Sequence, residues 1–273
     1  MKTVLITGSS SGIGRAIAHY FQSKGWQVAA TMRKPENEQD LDKLDNTKLY
    51  ALNVCDKHSI QEAINSAIDD FGGIDVIVNN AGYGLVGPFE ASTEEQIQRQ
   101  FDTNVFGLMN VTRAIIPHFR ECKSGTIINI TSVGGRLSFP LYSLYNSTKW
   151  AVEGFSESLQ YELRQFGIKV KLIEPGAIKT DFYDRSMDVI KRKGPNLYDD
   201  YVDRAFNNIQ DMGASAEGPE VVAKKTYKAA TDSGNRLRYP VGGGAPALLF
   251  LRRILPDSLF FMGIRTGVEK KRK

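Results

Sequence analysis

Short runs of β-branched and apolar residues alternate along this chain with segments whose apolar positions recur every three or four residues. Residues 4–7 form the first such run. After a glycine-rich stretch, Ile13, Ala16, Ile17, Tyr20 and Phe21 have helical spacing up to Gly25. Residues 27–31 and 48–52 read as second and third strands. Ile60, Ala63, Ile64, Ala67, Ile68 and Phe71 mark a helix closed by Gly72-Gly73. A fourth strand is expected over 75–78. Thr93-Glu94-Glu95-Gln96 opens one long helix through Phe101, Val105, Leu108, Val111 and Ile115. A fifth strand (126–130), a helix from about 143 to 166, a sixth strand (168–173), a helix over 220–231 begun at Pro219 and a seventh strand (237–241) complete the series. Strands alternating with crossover helices predict an α/β fold, a parallel sheet wound on both sides, with its ligand crevice at the carboxyl ends of the strands. Two stretches break the rhythm: residues 180–218, without clear periodicity and read as a substrate lid, and a C-terminal extension over about 243–273.

Composition narrows this picture slightly. At 273 residues the chain can be one dinucleotide-binding and catalytic domain spanning 1–273. Two cysteines, Cys55 and Cys122, fit a reducing compartment and a cytoplasmic address. With only five residues between Lys2 and the first glycine, no signal peptide is expected. The apolar run over 245–251 contains Pro246 and is too short to span a membrane. The net charge of +4 is concentrated in Lys191-Arg192-Lys193 and Lys270-Lys271-Arg272-Lys273, read as solvated segments. No nucleic-acid-reading motif accompanies them. His19, His58 and His118 have no ligand-spaced partners, so no metal site is expected.

The chemistry is written in a few positions. In Thr7-Gly8-Ser9-Ser10-Ser11-Gly12-Ile13-Gly14, Gly8 permits a tight turn, Gly12 leaves space for a pyrophosphate, and Gly14 lets the following helix approach the sheet. An acidic residue at the end of the second strand would bind the ribose diol of NAD. Here Thr31-Met32-Arg33-Lys34 offers none before Glu36. Arg33 suits a 2′-phosphate, with Ser10 and Ser11 as further donors, so NADP(H) is predicted over NAD(H). The competing reading is an exposed arginine with no ligand. Tyr145 and Lys149, at i and i+4, share a helix face, so the ammonium can lower the phenol pKa from about 10. Ser132, just beyond the fifth strand, could hold a substrate oxygen.

These residues resemble the short-chain dehydrogenase/reductase family in its compact branch, over roughly residues 3–182. The glycine turn, Asn79-Asn80-Ala81-Gly82 after the fourth strand, the four residues Asn104, Ser132, Tyr145 and Lys149, and Pro175-Gly176 with Thr180 occur in the family's order. The resemblance implies a Rossmann-type, three-layer α/β/α fold with a sheet of about seven strands, and a homodimer or homotetramer. It also implies catalysis by the four residues, with Asn104 holding a water that connects Lys149 to solvent. Cofactor contacts are implied for Gly8, Ser10, Ser11, Gly12, Ile13, Gly14, Arg33, Asn53, Val54, Asn80, Ala81, Gly82, Tyr145, Lys149, Pro175, Gly176, Ile178 and Thr180. One departure is Asn53, where the family commonly places an aspartate toward adenine; its amide can still make that contact.

Leu85, Val86, Phe89, Leu137, Phe139, Leu141, Tyr142, Phe182, Tyr183, Met187, Tyr198 and Tyr201 are candidates to line an apolar pocket, which would favour an apolar ketone or alcohol. The competing reading makes them core and lid contacts. The overall look is similar to the hydroxysteroid, retinol and lipid-ketone dehydrogenases of the family. Arg252, Arg253, Leu255, Leu259, Phe260, Phe261 and Met262 are expected to cover the pocket or a neighbouring subunit, with a membrane surface as the lesser alternative. The expected activity is an NADP(H)-dependent carbonyl reductase and alcohol dehydrogenase. The alternative is a non-catalytic dinucleotide-binding sensor or scaffold.

Overall fold

A computed structural model describes residues 1–180, 187–190, 198–214 and 216–269, the side chains of 209–214 excepted. Lys191-Arg192-Lys193, Phe182, Tyr183 and the tail 270–273 lie outside the described residues. The elements run β1 (Thr3–Thr7), α1 (Gly12–Ser23), β2 (Gln27–Met32), β3 (Thr47–Ala51), α2 (Lys57–Phe71), β4 (Val76–Asn79), β5 (Gly84–Val86), α3 (Glu94–Phe101), α4 (Leu108–Glu121), β6 (Gly125–Ile130), α5 (Ser143–Leu163), β7 (Ile168–Pro175), β8 (Met187–Val189), α6 (Asp199–Ala214), α7 (Glu220–Thr231), β9 (Arg238–Val241), α8 (Ala245–Ile254) and α9 (Asp257–Val268). Seven strands form one sheet in the order β3-β2-β1-β4-β6-β7-β9, and every pairing in it is parallel.

The pleat sorts the core into two layers. In β1, Val4 and Ile6 face a cluster with Ile17, Phe21 and Trp26 from α1 and its flank and Val222 and Ala223 from α7. Leu5 faces the opposite cluster of Ile60 and Ile64 from α2, Val111 and Ile115 from α4, and Leu159 and Leu163 from α5. Strands buried on both faces explain why their sequences read as apolar runs rather than alternating ones. The strand order reverses between β1 and β4, which opens a crevice at their carboxyl ends.

Three expectations are corrected. The long helix expected from Thr93 is broken into α3 and α4 by a π-helical segment, Asp102–Gly107, that carries Asn104. The apolar spacing alone cannot register the extra residue. The stretch read as an aperiodic lid contains α6 and the short β8. β8 pairs in parallel with β5, Leu85 opposite Asp188. Leu85 and Val86 are therefore buried strand residues rather than pocket lining. The C-terminal extension folds as a helical pair, α8 and α9, whose inner residues Ala245, Leu249 and Phe260 pack on Val133 and Leu137.

Candidate active site

A cleft of about 1040 Å³ runs along the carboxyl ends of the strands. Its inner half is built by the turn after β1. Gly8 has φ +70, and a Cβ there would stand 3.0 Å from Ala81 Cα. A Cβ on Gly14 would stand 2.2 Å from the Gly8 carbonyl oxygen, so α1 reaches the sheet only through a glycine. The Asn80 amide fixes this turn, donating to the carbonyls of Thr7 at 2.9 Å and Gly8 at 3.0 Å, while Thr7 Oγ1 accepts the Asn80 and Ala81 N–H groups. The α1 N-terminus faces the cleft through Gly12, Ile13 and Gly14. Ser11 at its N-cap makes no side-chain capping bond, and no acidic residue occupies the first turn. Unpaired amide donors at a helix start favour an anion.

At the end of β2, Arg33 is exposed, lines the cleft and makes no hydrogen bond or ion pair among the described residues. The buried carboxylate nearby, Glu38, is held by Arg15 at 2.6 Å and accepts the Asp40 and Leu41 N–H groups, so it does not serve the cleft. Asn53 and Val54 also line the cleft, and Asn53 Oδ1 accepts the Cys55 N–H at 3.1 Å.

Around the midpoint of the cleft stand Ser132, Tyr145 and Lys149. Ser132 stands two residues past the end of β6; its Oγ accepts the Gly134 N–H at 3.0 Å and reaches the Pro175 carbonyl at 3.5 Å. Tyr145 and Lys149 lie one turn apart in α5, and the Lys149 ammonium sits 5.6 Å from the centre of the Tyr145 ring. The ammonium donates to the Ile130 carbonyl at 3.0 Å. Burial pushes the Lys149 pKa down to about 8, against the opposing pull of the Glu153 carboxylate.

Glu153 is itself buried. It accepts from Thr131 Oγ1 at 2.8 Å and from Arg238 Nε at 2.9 Å. Arg238 and Arg136 also approach the fully buried Glu174, each at 3.5 Å. Burial, and then the charge of Glu153, push the Glu174 pKa up to about 7. A charged cluster thus backs α5.

Every residue expected to touch the cofactor lines this cleft, including Pro175, Gly176, Ile178 and Thr180 from the end of β7 onward. Asn104 does not. It is buried behind the wall, where Nδ2 donates to the Tyr83 carbonyl at 2.8 Å and to Thr148 Oγ1 at 3.2 Å, and Oδ1 accepts the Tyr83 N–H at 3.0 Å. The π-helical turn lets this side chain stitch the loop after β4 to α5. Of the expected apolar lining, Phe139, Tyr142 and Met187 are present. Leu137 packs in the cluster under α8, Phe89 is exposed, and Tyr198 and Tyr201 bond to Glu90 and Glu269.

The C-terminal segment was expected to cover the pocket, but the residues that do so were not named. Ala245 and Leu248 of α8 and Gly263, Ile264, Gly267 and Val268 of α9 close the far end. The i,i+4 pair Gly263 and Gly267 beside Ile264 and Val268 was the available signal for a smooth apolar helix face. Also missed was Asn146. It lines the cleft beside Tyr145, and neither of its buried amide atoms has a hydrogen-bond partner among the described residues. Arg99 was missed as well, pairing with Asp188 and donating to the Tyr83 hydroxyl at 3.1 Å, so that it ties β8 to the cleft rim.

Known proteins share this arrangement. An uncharacterized oxidoreductase of Schizosaccharomyces pombe is 40% identical over 229 residues, 84% of this chain and 96% of the relative. A short-chain dehydrogenase structure from Streptomyces avermitilis superposes with a TM-score of 0.83 at 35% identity, covering 97% of this chain and 95% of that one. ElxO, solved with NADP bound, has 29% identity and a TM-score of 0.74 over 90% of this chain and 99% of its own. A Burkholderia phymatum enzyme in complex with NAD has 25% identity and a TM-score of 0.80 over 96% and 95%. The family model described as short chain dehydrogenase matches residues 2–189. With its parallel seven-stranded sheet, its glycine turn and its Ser-Tyr-Lys cleft, this chain belongs to the short-chain dehydrogenase family of oxidoreductases.

Proposed function

We propose that this protein is an NADP(H)-linked oxidoreductase that moves a hydride between the nicotinamide and an apolar ketone or secondary alcohol, with Tyr145 as acid and base. The observation that carries the reading is the buried Lys149 ammonium beside the Tyr145 ring, at the midpoint of a cleft whose inner half is a glycine turn and whose outer half is apolar. The residues fit a dinucleotide: the uncapped start of α1 can take the pyrophosphate, and the Gly8–Gly14 approach leaves no room for side chains in the cradle. Arg33, free of carboxylate neighbours in the cleft, would hold a 2′-phosphate with Ser10 and Ser11. NADP in ElxO is in line with that choice, while NAD in the Burkholderia enzyme shows that the fold accepts either.

Bound dihydronicotinamide supplies the hydride. The protein's own part is the proton and its placement. Ser132 Oγ would donate to the substrate oxygen, and Tyr145 Oη would give that oxygen its proton in the reducing direction and remove it in the oxidising one. The Lys149 charge favours the phenolate left behind. Asn104 would support this set from behind the wall, through Tyr83 and Thr148. Phe139, Tyr142, Met187, Leu248 and Ile264 would exclude water and receive the apolar body of the substrate. Exposed Phe106, Trp150 and Tyr161, on and just before the α4 and α5 helices, suit a homodimer or homotetramer, and the two free cysteines suit the cytoplasm.

The test is oxidation of NADPH and of NADH against steroid, retinoid, long-chain and small ketones, with Tyr145→Phe as control. Turnover with NADPH that disappears in the variant is expected. Tight NADPH binding without turnover on any ketone would instead support a dinucleotide sensor.

A further inference from the structure

The helical pair α8 and α9 has two unlike faces. Inward, Ala245, Leu249 and Phe260 pack on the body of the protein, and Ile264 and Val268 wall the cleft. Outward, the same two helices expose large apolar side chains: Phe250 at 61%, Ile254 at 55%, Leu259 at 50% and Met262 at 59% of their surface, with Leu251 and Phe261 beside them. So many large apolar side chains left exposed on two successive helices are uncommon on a surface meant only for water.

Charge is segregated onto the same stretch. Residues 245–273 contain seven basic side chains, Arg252, Arg253, Arg265, Lys270, Lys271, Arg272 and Lys273, and two acidic ones, Asp257 and Glu269. The whole excess of +4 on the chain is therefore contained in its last twenty-nine residues. Arg252 lies over the rings of Phe260 and Phe261 at 5.3 and 5.1 Å and pairs with Asp257. Arg265 pairs with Glu269 at 3.0 Å. Arg253 makes no ion pair among the described residues. Exposed apolar side chains, an Arg253 outside any ion pair among the described residues and a net positive stretch of sequence match the two components of an anionic bilayer surface, acyl chain and headgroup. No helix among the described residues is long and apolar enough to cross a membrane. The pair can lie on a bilayer but not span it.

We propose that the outer face of α8 and α9 docks this protein onto an anionic phospholipid surface, with Phe250, Ile254, Leu259 and Met262 entering the headgroup boundary and Arg253 at the headgroups. Because α9 is also a wall of the cleft, docking holds the substrate end of the cleft at the lipid. Only that consequence rests on the activity proposed above.

The experiment is co-sedimentation of the full chain with vesicles of phosphatidylcholine alone or with one-third phosphatidylglycerol, at low and high salt. Binding to the anionic vesicles roughly tenfold tighter than to the neutral ones, weakened by salt, is expected. The variant Phe250→Ser/Ile254→Ser/Met262→Ser should lose it while NADPH binding and molecular mass in solution stay unchanged. As a second readout that spares the fold, Phe250→Trp should show a blue-shifted emission on anionic vesicles. Absence of sedimentation, binding indifferent to the triple substitution, or an unshifted Trp emission would overturn the proposal. So would a drop in molecular mass of the triple variant in lipid-free buffer, which would assign the face to a second copy of the chain. Loss of turnover with intact vesicle binding would count against the activity and leave the docking standing.

Discussion

The Lys149 ammonium lies 5.6 Å from the centre of the Tyr145 ring, yet its hydrogen bond goes to the Ile130 carbonyl at 3.0 Å. The lysine is thus anchored to the sheet, and its proposed action on the tyrosine would run through its field. With a pKa pushed down to about 8, Lys149 is charged at neutral pH and loses that charge as pH rises through 8. Glu153 works against this loss, held in place by Thr131 and Arg238 with Glu157, Glu174 and Arg136 behind. Glu153→Gln removes the negative charge and should move the alkaline limb of kcat/KM to lower pH, leaving NADPH affinity intact. A pH–rate profile of both proteins checks this; an unmoved limb would separate Glu153 from Lys149.

Arg33 stands at the end of β2, where the proposed choice of cofactor would be made. Arg33→Ser should weaken NADPH binding roughly ten- to hundredfold, in line with the loss of about 1.5–3 kcal/mol in a charged hydrogen bond, and leave NADH binding nearly unchanged. Fluorescence titration with both nucleotides reads the difference, and equal losses for the two would contradict the 2′-phosphate assignment.

Asn104 makes three hydrogen bonds inside the protein. Asn104→Ala leaves the Tyr83 backbone groups and Thr148 short of partners and should cost about 1–3 kcal/mol of stability. Thermal unfolding should show the lower Tm, with a fall in kcat because the loop after β4 and α5 are no longer tied together. A variant with unchanged Tm would mean that the π-helical turn is held by other contacts.

Glu174 is fully buried, and its pKa is raised to about 7. A carboxyl with a raised folded-state pKa keeps its proton where the unfolded chain, near 4.5, has lost it, so stability falls as pH rises from about 4.5 to about 7 and stays lowered above that. Glu174→Gln should therefore flatten the dependence of Tm on pH in that window and gain most over the wild type at pH 8. A parallel pair of curves would show that Arg136 and Arg238 already compensate the charge.

What the sequence disclosed and what it withheld follow from range. Tyr145 and Lys149 are one helical turn apart, and the glycines of the first turn fall within seven residues, so local geometry alone places them. Arg33 was legible because a strand end fixes its position. The π-helical turn at Asn104 was hidden, since one inserted residue barely disturbs an apolar period. The pairing of Leu85 with Asp188 and the packing of Phe260 near Val133 join segments more than a hundred residues apart. Nothing in either segment announces the other. The helix α6 was overlooked although Val202, Ala205, Phe206, Ile209 and Met212 recur at helical spacing among its acidic and amide residues.

The outer wall made by α8 and α9 has a consequence for how such a protein can change. The groups proposed to handle the proton and the nucleotide all lie before residue 181, whereas the walls from Ala245 to Val268 come afterwards in the chain. Substitutions in that late segment can reshape what the cleft admits without disturbing its proton chemistry. The part of selectivity that this segment sets can therefore vary apart from reactivity, whereas the part set by Phe139 and Tyr142 cannot.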